Sequence, residues 1–133
     1  MAGRNLEVRS TTREEMIDVT DSVRSAIRAA GVKSGLVCVF SPHTTAGLTV
    51  QENADPDVKT DLLGHLGKLV PLVSGWRHGE GNSDAHIKTS LVGNSVTLIV
   101  EDGELLLGHW QAVFFCEFDG PRQRRLNVQV VGS

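Results

Sequence analysis

Four of the five histidines of this chain lie in three polar segments, and imidazole is the side chain best suited to bind metals or move protons near neutral pH. The segments are SPHTTAGLTVQENADPD (41–57), WRHGEGNSDAH (76–86) and GHWQ (108–111). His78 and His86 are eight residues apart, and His43 follows the apolar run 36–40. If these segments meet, three neutral imidazoles can hold one divalent ion and leave a coordination position open, as in catalytic zinc sites.

Each histidine also has an ordinary structural interpretation. His43 can cap the backbone of a strand or loop, His78 can be a solvated loop residue, and polar groups of its own helix can satisfy His86. Spacing alone does not decide between these readings, because the chain has no close HExxH or CxxC pair. We expect His65 on the surface of its helix. The role of His109, inside an apolar run, stays open.

Carboxylates within or beside the polar segments can act as a general base or orient a ligand imidazole. Asp55 and Asp84 have structural explanations, as a helix cap and as an acid in the first turn of a helix. Glu52 and Glu80 have no such explanation. They are therefore the candidate catalytic residues.

Groups that can bind a phosphorylated substrate lie close to the same segments in sequence. Lys88 follows His86 by two residues, Ser90 lies in the same predicted helix, and Arg122 lies just after the turn at Gly120. Charged donors bind phosphate oxygens strongly. A solvated basic loop is the ordinary alternative for the arginines after that turn, which are Arg122, Arg124 and Arg125.

Hydrophobic periodicity predicts the elements that position these groups. Strands are predicted at residues 5–11, 36–40, 95–100, 104–118 and 126–130, with a hairpin turn at 101–103. Helices are predicted from a cap at Thr20 to Gly31, from Asp55-Pro56 to Pro71, and over 84–91 with Asn82 or Ser83 as its cap. Ile87 and Leu91 of the third helix should face the core. The sum is an α+β domain dominated by antiparallel sheet.

Length and charge limit the class of protein. A chain of 133 residues with 40% hydrophobic residues is expected to form one domain over 1–133. A net charge of -3, with acids and bases interspersed, predicts no nucleic-acid or anionic-membrane partner. Without an apolar signal core or a run of about 20 apolar residues, the cytoplasm is the expected compartment. The run 104–118 is apolar on both alternating faces, so other elements or a neighbouring subunit must cover it.

Three blocks of the sequence resemble, in order and spacing, the signature blocks of the YjbQ-like family, also called the secondary thiamine-phosphate synthase family. The blocks are HTTAGLTVQENADPDV, HGEGNSDAHIKTSLVGNSVTL and LLLGHWQAVFFCEFDGPR. The resemblance covers nearly the whole chain and implies an α+β fold, a mostly antiparallel, β-sandwich-like sheet with three helices, that forms a homotrimer. It also implies a metal site at His43, His78 and His86. GHWQ departs from the family's GTWQ at His109, whereas Gln111 matches and becomes a candidate substrate-binding residue.

The family name implies thiamine-phosphate synthesis, in which pyrophosphate leaves a pyrimidine carbinyl carbon and a thiazole nitrogen captures the resulting cation. That chemistry usually employs oxygen-ligated magnesium, whereas three imidazoles suit zinc better. We therefore predict a zinc-dependent enzyme that acts on a small phosphorylated metabolite, with the synthase reaction as a weak side activity. Magnesium is the expected metal if the synthase reaction is the true one. A metallohydrolase and a non-catalytic metal- or metabolite-binding protein are the competing hypotheses.

Overall fold

Two antiparallel sheets and three helices make up the computed structural model, which describes residues 2–133. The strands are β1 (Ala2–Arg9), β2 (Glu15–Asp18), β3 (Ser34–Phe40), β4 (Ala46–Glu52), β5 (Ser95–Glu101), β6 (Glu104–Leu105), β7 (Gln111–Glu117) and β8 (Gln123–Gly132). The helices are α1 (Thr20–Ala30), α2 (Pro56–Leu69) and α3 (Ser83–Val92). The larger sheet has the order β1-β8-β3-β5-β6 and the smaller one β2-β7-β4. The predicted α+β class with antiparallel sheet and three helices is confirmed.

The smaller sheet is covered on both faces by other parts of the same chain. Val113 and Phe115 of its central strand β7 belong to a core shared with the larger sheet and α1. Phe114, on the opposite face, packs with half-buried leucines of α2 and with Ala85 of α3. All three β7 side chains are 0% exposed. The doubly apolar character of this strand therefore needs no neighbouring subunit.

The first two helices begin and end for identifiable reasons. Asp55 caps α2 by accepting from the Asp57 N–H (2.9 Å), and Pro56 opens the helix, as predicted. Gly31 ends α1 with φ 69°, a conformation that favours glycine. Thr20, in contrast, is the first residue of α1 and not its cap, because its hydroxyl donates to Asp18 Oδ1 (2.6 Å).

The third helix has the predicted position, but the prediction of its core-facing side is wrong. Leu91 is 58% exposed and Ile87 is only half-buried. The buried side consists of Asp84, Ala85, Lys88 and Thr89. Because charges that pair with each other occupy this side, apolar periodicity indicated the wrong face.

Three features of the sheets were not predicted. The four-residue strand β2 (Glu15–Asp18) lies in a stretch where no strand was predicted. β4 lies inside the polar segment 41–57, where the alternation of Leu48 and Val50 is too short to stand out from its neighbours. The hairpin after residue 100 exists, but its second arm β6 has two residues, so 104–118 is not one strand. The chain then crosses through 106–110 into β7 of the other sheet.

Candidate functional site

His43 lies on the loop between β3 and β4, and hydrogen bonds fix this loop in place. The Ser41 N–H donates to Asn94 O (2.8 Å), and Ser41 Oγ donates to Ala46 O (2.8 Å). His43 Nε2 lies 3.0 Å from the backbone N and 3.1 Å from the backbone O of Arg125. Nε2 can therefore accept from the N–H or, when it carries the proton, donate to the carbonyl, so Nε2 has a backbone partner in either neutral tautomer.

α3 lies directly against β4, and Gly47 permits this approach. The N–H of the next residue donates to Gly93 O (3.0 Å), and a Cβ on Gly47 would lie 2.3 Å from that same oxygen. Any side chain larger than hydrogen is excluded at such a distance. The close contact holds His86 and Thr89 of α3 beside the loop that carries His43.

Two adjoining cavities lie between this loop and α3, and both are lined by His43, Thr44 and His86. The first cavity, of about 420 Å³, is lined by His43, Thr44, His86, Thr89, Ser90, Gly93 and Asn94. The second cavity, of about 290 Å³, is lined by Pro42, His43, Thr44, Thr45, Glu80, Asn82, His86, Asp119, Arg122 and Arg124. Hydroxyl, amide and imidazole groups thus line the first cavity, whereas carboxylates and guanidinium groups line the second.

The rings of His78 and His86 have the spacing expected of two ligands of one ion. Their centroids are 5.3 Å apart, with an interplanar angle of 86°. Two imidazoles on a tetrahedral zinc, with Zn–N bonds of about 2.0 Å, place their ring centres about 5 Å apart. Glu80 Oε2 lies 3.7 Å from His78 Nε2, a contact longer than a hydrogen bond.

The predicted three-histidine site is only partly assembled. Within residues 2–133, no three histidine, cysteine, aspartate or glutamate side chains already form a group that can hold an ion. His43 lies on the wall of the two cavities that His86 also lines, while His78 contacts His86. The donor set still fits a metal, because a His43 ring that donates Nε2–H to Arg125 O leaves Nδ1 as a ligand.

The surroundings of His43 favour the neutral ring. Burial, and next the positive charge of Arg124, lower the pKa of His43 below its ordinary value. The imidazole is therefore neutral at pH 7, and the neutral ring is the form that binds a metal or accepts a proton.

Arg124, which lines the second cavity, forms a buried ion pair with Glu117 that was not predicted from the sequence. Arg124 is 4% exposed and Glu117 0% exposed. Burial alone would raise the pKa of Glu117, but hydrogen bonds from Arg124, Asp119 N–H and Ser10 lower it overall. The sequence contains one indication that Arg124 is buried. Arg124 lies two residues before Leu126 and so continues the inward-facing alternation of β8.

A second buried cluster anchors α3. Arg13 donates to both carboxylate oxygens of Asp84 (3.1 and 3.0 Å), which joins the turn before β2 to the first turn of the helix. Lys88 Nζ lies 2.9 Å from Asp84 and 2.5 Å from Glu14. Lys88 is 2% exposed and lines neither cavity, so this geometry does not support its predicted contact with substrate phosphate. Its ammonium instead holds the helix that carries His86.

Two other predicted residues lie far from the cavities within one chain. In the β4–β7 pair, Ala46 is opposite Glu117 and Glu52 is opposite Gln111. Six residues of strand separate the two ends, or about 20 Å. Gln111 lines a different cavity, of about 320 Å³, together with His109 and Trp110. The chain alone therefore does not bring Glu52 or Gln111 to the histidines.

The remaining predicted residues do line the cavities. Ser90 lies in the first cavity and donates to His86 O (2.9 Å). Glu80 and Arg122 lie in the second cavity, where Arg122 pairs with Asp119 (2.8 Å). Their catalytic and substrate-binding roles stay predictions.

Comparison with known proteins supports the family resemblance. The model of the family "UPF0047 protein YjbQ-like" matches residues 4–133. A UPF0047 protein of Methanocaldococcus jannaschii is 51% identical over 127 residues, which cover 96% of this chain and 92% of that protein. UPF0047 protein YugU of Bacillus subtilis is 46% identical over 134 residues, covering 97% and 98% of the two chains.

Solved structures agree with this fold. A crystal structure of an uncharacterized conserved protein of the yjbq/upf0047 family from Clostridium acetobutylicum superposes with a TM-score of 0.95 at 47% identity, covering 96% of this chain and 99% of that one. A conserved hypothetical protein from Thermus thermophilus gives 0.89 at 48% identity, with the same coverage. No helix within residues 2–133 is long and apolar enough to cross a membrane. The chain belongs to the YjbQ-like UPF0047 family.

Proposed function

We propose that this protein is a cytoplasmic metal-dependent enzyme that acts on a small phosphorylated metabolite at the two cavities beside His43 and His86. The observation that carries the proposal is the 5.3 Å spacing of the His78 and His86 rings, next to cavities that His43 also lines. Two imidazoles at this spacing would need His43 as the third ligand to complete a zinc site.

Zinc is the proposed metal, because imidazole ligands suit it and magnesium prefers oxygen ligands. His43 would bind through Nδ1, with Nε2–H donating to Arg125 O. Glu80, whose Oε2 is 3.7 Å from His78 Nε2, would orient His78 once the two atoms come within hydrogen-bond distance. A divalent ion held by these residues would supply Lewis acidity to a phosphoryl or carbonyl oxygen of the bound ligand.

The other residues of the cavities bind the ligand and move protons. Ser90 and Asn94 present a hydroxyl and an amide to the first cavity, and Arg122 presents a guanidinium to the second. Glu80 is the carboxylate of this site that can take a proton from the ligand or from water. Glu52 can take part only if another subunit brings it to these cavities, because it lies at the far end of β4.

The reaction class is proposed from the resemblance together with the donor set. Thiamine-phosphate synthesis fits as a weak side activity, since a nitrogen-ligated metal beside a leaving pyrophosphate also favours hydrolysis. A metallohydrolase of phosphate esters is therefore the alternative within the enzyme class. One observation favours a non-catalytic metal- or metabolite-binding protein: the Glu80 side chain is 75% exposed, and such a carboxylate makes a weak base.

Turnover by the zinc-loaded, untagged protein separates these alternatives. Phosphate monoesters, pyrophosphate and the pyrimidine-plus-thiazole pair are offered separately, and released phosphate, released pyrophosphate and joined product are measured. We expect turnover of at least one substrate and a loss of about 100-fold in Glu80→Gln, the typical effect of removing a general base. Glu101→Gln, an exposed residue at the end of β5, is the matched control. Tight binding without any product would leave the non-catalytic alternative.

A further inference from the structure

Arg124 is a charged side chain held inside the protein, at a position where the fold would accept an apolar one. It lies in phase with Leu126 and Val128, which are 0% and 2% exposed, on the inward side of β8. Its partner Glu117 is also fully buried. Replacing such a buried ion pair by apolar residues of similar volume is often neutral or stabilising. Stability alone therefore does not explain why the pair is there.

Three of the hydrogen bonds of Arg124 fix its orientation. Nε donates to Glu117 Oε1 (2.8 Å), and Nη2 donates to Glu117 Oε2 (2.5 Å) and to Thr45 Oγ1 (2.8 Å). The guanidinium is thus clamped along one edge by a carboxylate and a hydroxyl. Its plane has a fixed direction relative to the loop that carries His43.

The third guanidinium nitrogen of Arg124, Nη1, is free to bind a ligand. No hydrogen bond described for residues 2–133 uses it. Within residues 2–133, the buried side-chain N and O atoms that lack a hydrogen-bond partner are Asn82 Oδ1 and Thr89 Oγ1. Nη1 has no partner and is not one of these buried atoms, so it is accessible to solvent. Because Arg124 lines the second cavity, Nη1 is a fixed donor for a group bound there.

We propose that Arg124 binds an oxyanion of the ligand through Nη1, with Glu117 as the residue that positions it. The oxyanion is the phosphate group of the metabolite, an identification that rests on the proposed function. Arg122 differs from Arg124 in being half exposed (52%) and in pairing with Asp119. Arg124 loses little conformational freedom on binding, since its side chain is already fixed.

The arrangement also predicts where in the second cavity the phosphate lies. The carboxylates of Glu80 and Asp119 line this cavity and repel an anion. Thr45 and His43, in contrast, lie on the loop beside Arg124 and carry no negative charge. The phosphate therefore approaches Arg124 on the side of this loop and lies next to the histidine site.

Calorimetric titration of untagged protein with inorganic phosphate and with pyrophosphate tests this proposal, in the zinc-loaded and the metal-free states. Arg124→Lys removes the planar donor edge but keeps the charge. We expect its phosphate affinity to fall about 10- to 100-fold, the effect of losing one hydrogen bond between charged groups. Its zinc content should equal that of the wild type. Arg9→Lys, an exposed arginine at the end of β1, should bind phosphate as the wild type does.

A second variant guards against a folding defect, because a lysine facing Glu117 cannot make the paired hydrogen bonds of the arginine it replaces. Glu117→Met combined with Arg124→Met removes both charges at similar volume, and such replacements usually fold. It should unfold cooperatively, bind zinc and fail to bind phosphate. Phosphate affinity within twofold of the wild type in either folded variant would overturn the proposal, as would a wild type that binds no phosphate at millimolar concentration in both metal states.

These measurements distinguish failure of the Arg124 proposal from failure of the proposed metal site. One zinc ion per chain with no phosphate binding would remove the role of Arg124 and leave the metal site intact. Phosphate binding that depends on Arg124 in a protein unable to hold zinc would support the role of Arg124 and remove the metal from the proposed function.

Discussion

Buried carboxylates flank the candidate site at two points, and both depend on a cation for their place in the fold. Asp84 bonds to Arg13 and Lys88, and Glu117 bonds to Arg124. A buried charge without its partner is strongly destabilising. The two clusters therefore hold α3 and the inner wall of the second cavity in place only while the carboxyl groups are ionised.

Acid should destabilise the protein through these two groups. Burial alone would raise both pKa values, but hydrogen bonds and nearby cations outweigh it, so the pKa of Asp84 lies below the ordinary 3.8 and that of Glu117 below 4.5. Near these pH values the unfolded chain binds more protons than the folded chain. The stability that ionised Asp84 and Glu117 contribute is therefore present above about pH 4.5, and it is lost as the pH falls through their pKa values in the folded protein. Urea unfolding between pH 7 and pH 3 should show this loss.

The variant Asp84→Asn tests how much of the acid destabilisation comes from Asp84. Asp84→Asn should be less stable at pH 7 and should lose less stability between pH 5 and pH 3 than the wild type, because the titrating group is gone. Asp102→Asn, an exposed residue of the β5–β6 turn, should follow the wild-type curve. Parallel curves for the wild type and Asp84→Asn would show that folding does not lower the pKa of Asp84.

The contact between α3 and β4 is the element-scale feature that brings His86 to the loop of His43. A Gly47→Ala change would bring a methyl group 2.3 Å from Gly93 O, where backbone must move. We expect a loss of about 1 to 3 kcal/mol in unfolding free energy, typical of overpacking. Calorimetry should show a lower Tm together with weaker metal binding, because α3 is displaced.

Gly64→Ala is the matched control for this change. Gly64 lies inside α2, and a Cβ there would meet no heavy atom within 4 Å. Alanine should stabilise the helix by about 0.5 to 1 kcal/mol and leave metal binding unchanged. Equal stability of Gly47→Ala and the wild type would contradict the close approach.

Elements with simple apolar periodicity could be predicted from the sequence, and those built on charge could not. The Asp55-Pro56 start of α2 depends on local chemistry and was correct. The buried side of α3 depends on Arg13, 71 residues from Asp84, and no local pattern reveals that pairing. The three histidines could be named, but the shared walls of the two cavities follow only from the sheet topology.

At the scale of the whole molecule, the outer face of the larger sheet is the surface we expect to bury in the predicted homotrimer. Leu36 of β3 is opposite Ile99 of β5 and Val131 of β8, so the three form one stripe. They are 50%, 50% and 49% exposed. Contiguous apolar surface of this kind usually marks an interface.

Light scattering after size exclusion tests this assembly. The wild type should have three times the mass of the chain, and Leu36→Glu should shift it toward the monomer. Leu69→Glu, at the end of α2 and 61% exposed, should keep the wild-type mass. A monomeric wild type would contradict the trimer, and an unchanged mass for Leu36→Glu would contradict this choice of surface.

The metal content of the purified protein tests the central claim most directly. Untagged protein, offered zinc and then freed of loose metal, is analysed by elemental mass spectrometry beside His43→Ala, His78→Ala and His86→Ala, with His65→Ala on the exposed surface of α2 as the control. We predict about one zinc ion per chain in the wild type and in His65→Ala, and loss of the ion in the other three variants, as one three-histidine site requires. A wild type that holds no zinc, nickel or manganese, or three variants that keep the ion, would contradict the metal site and leave these histidines as proton-transfer or ligand-binding groups.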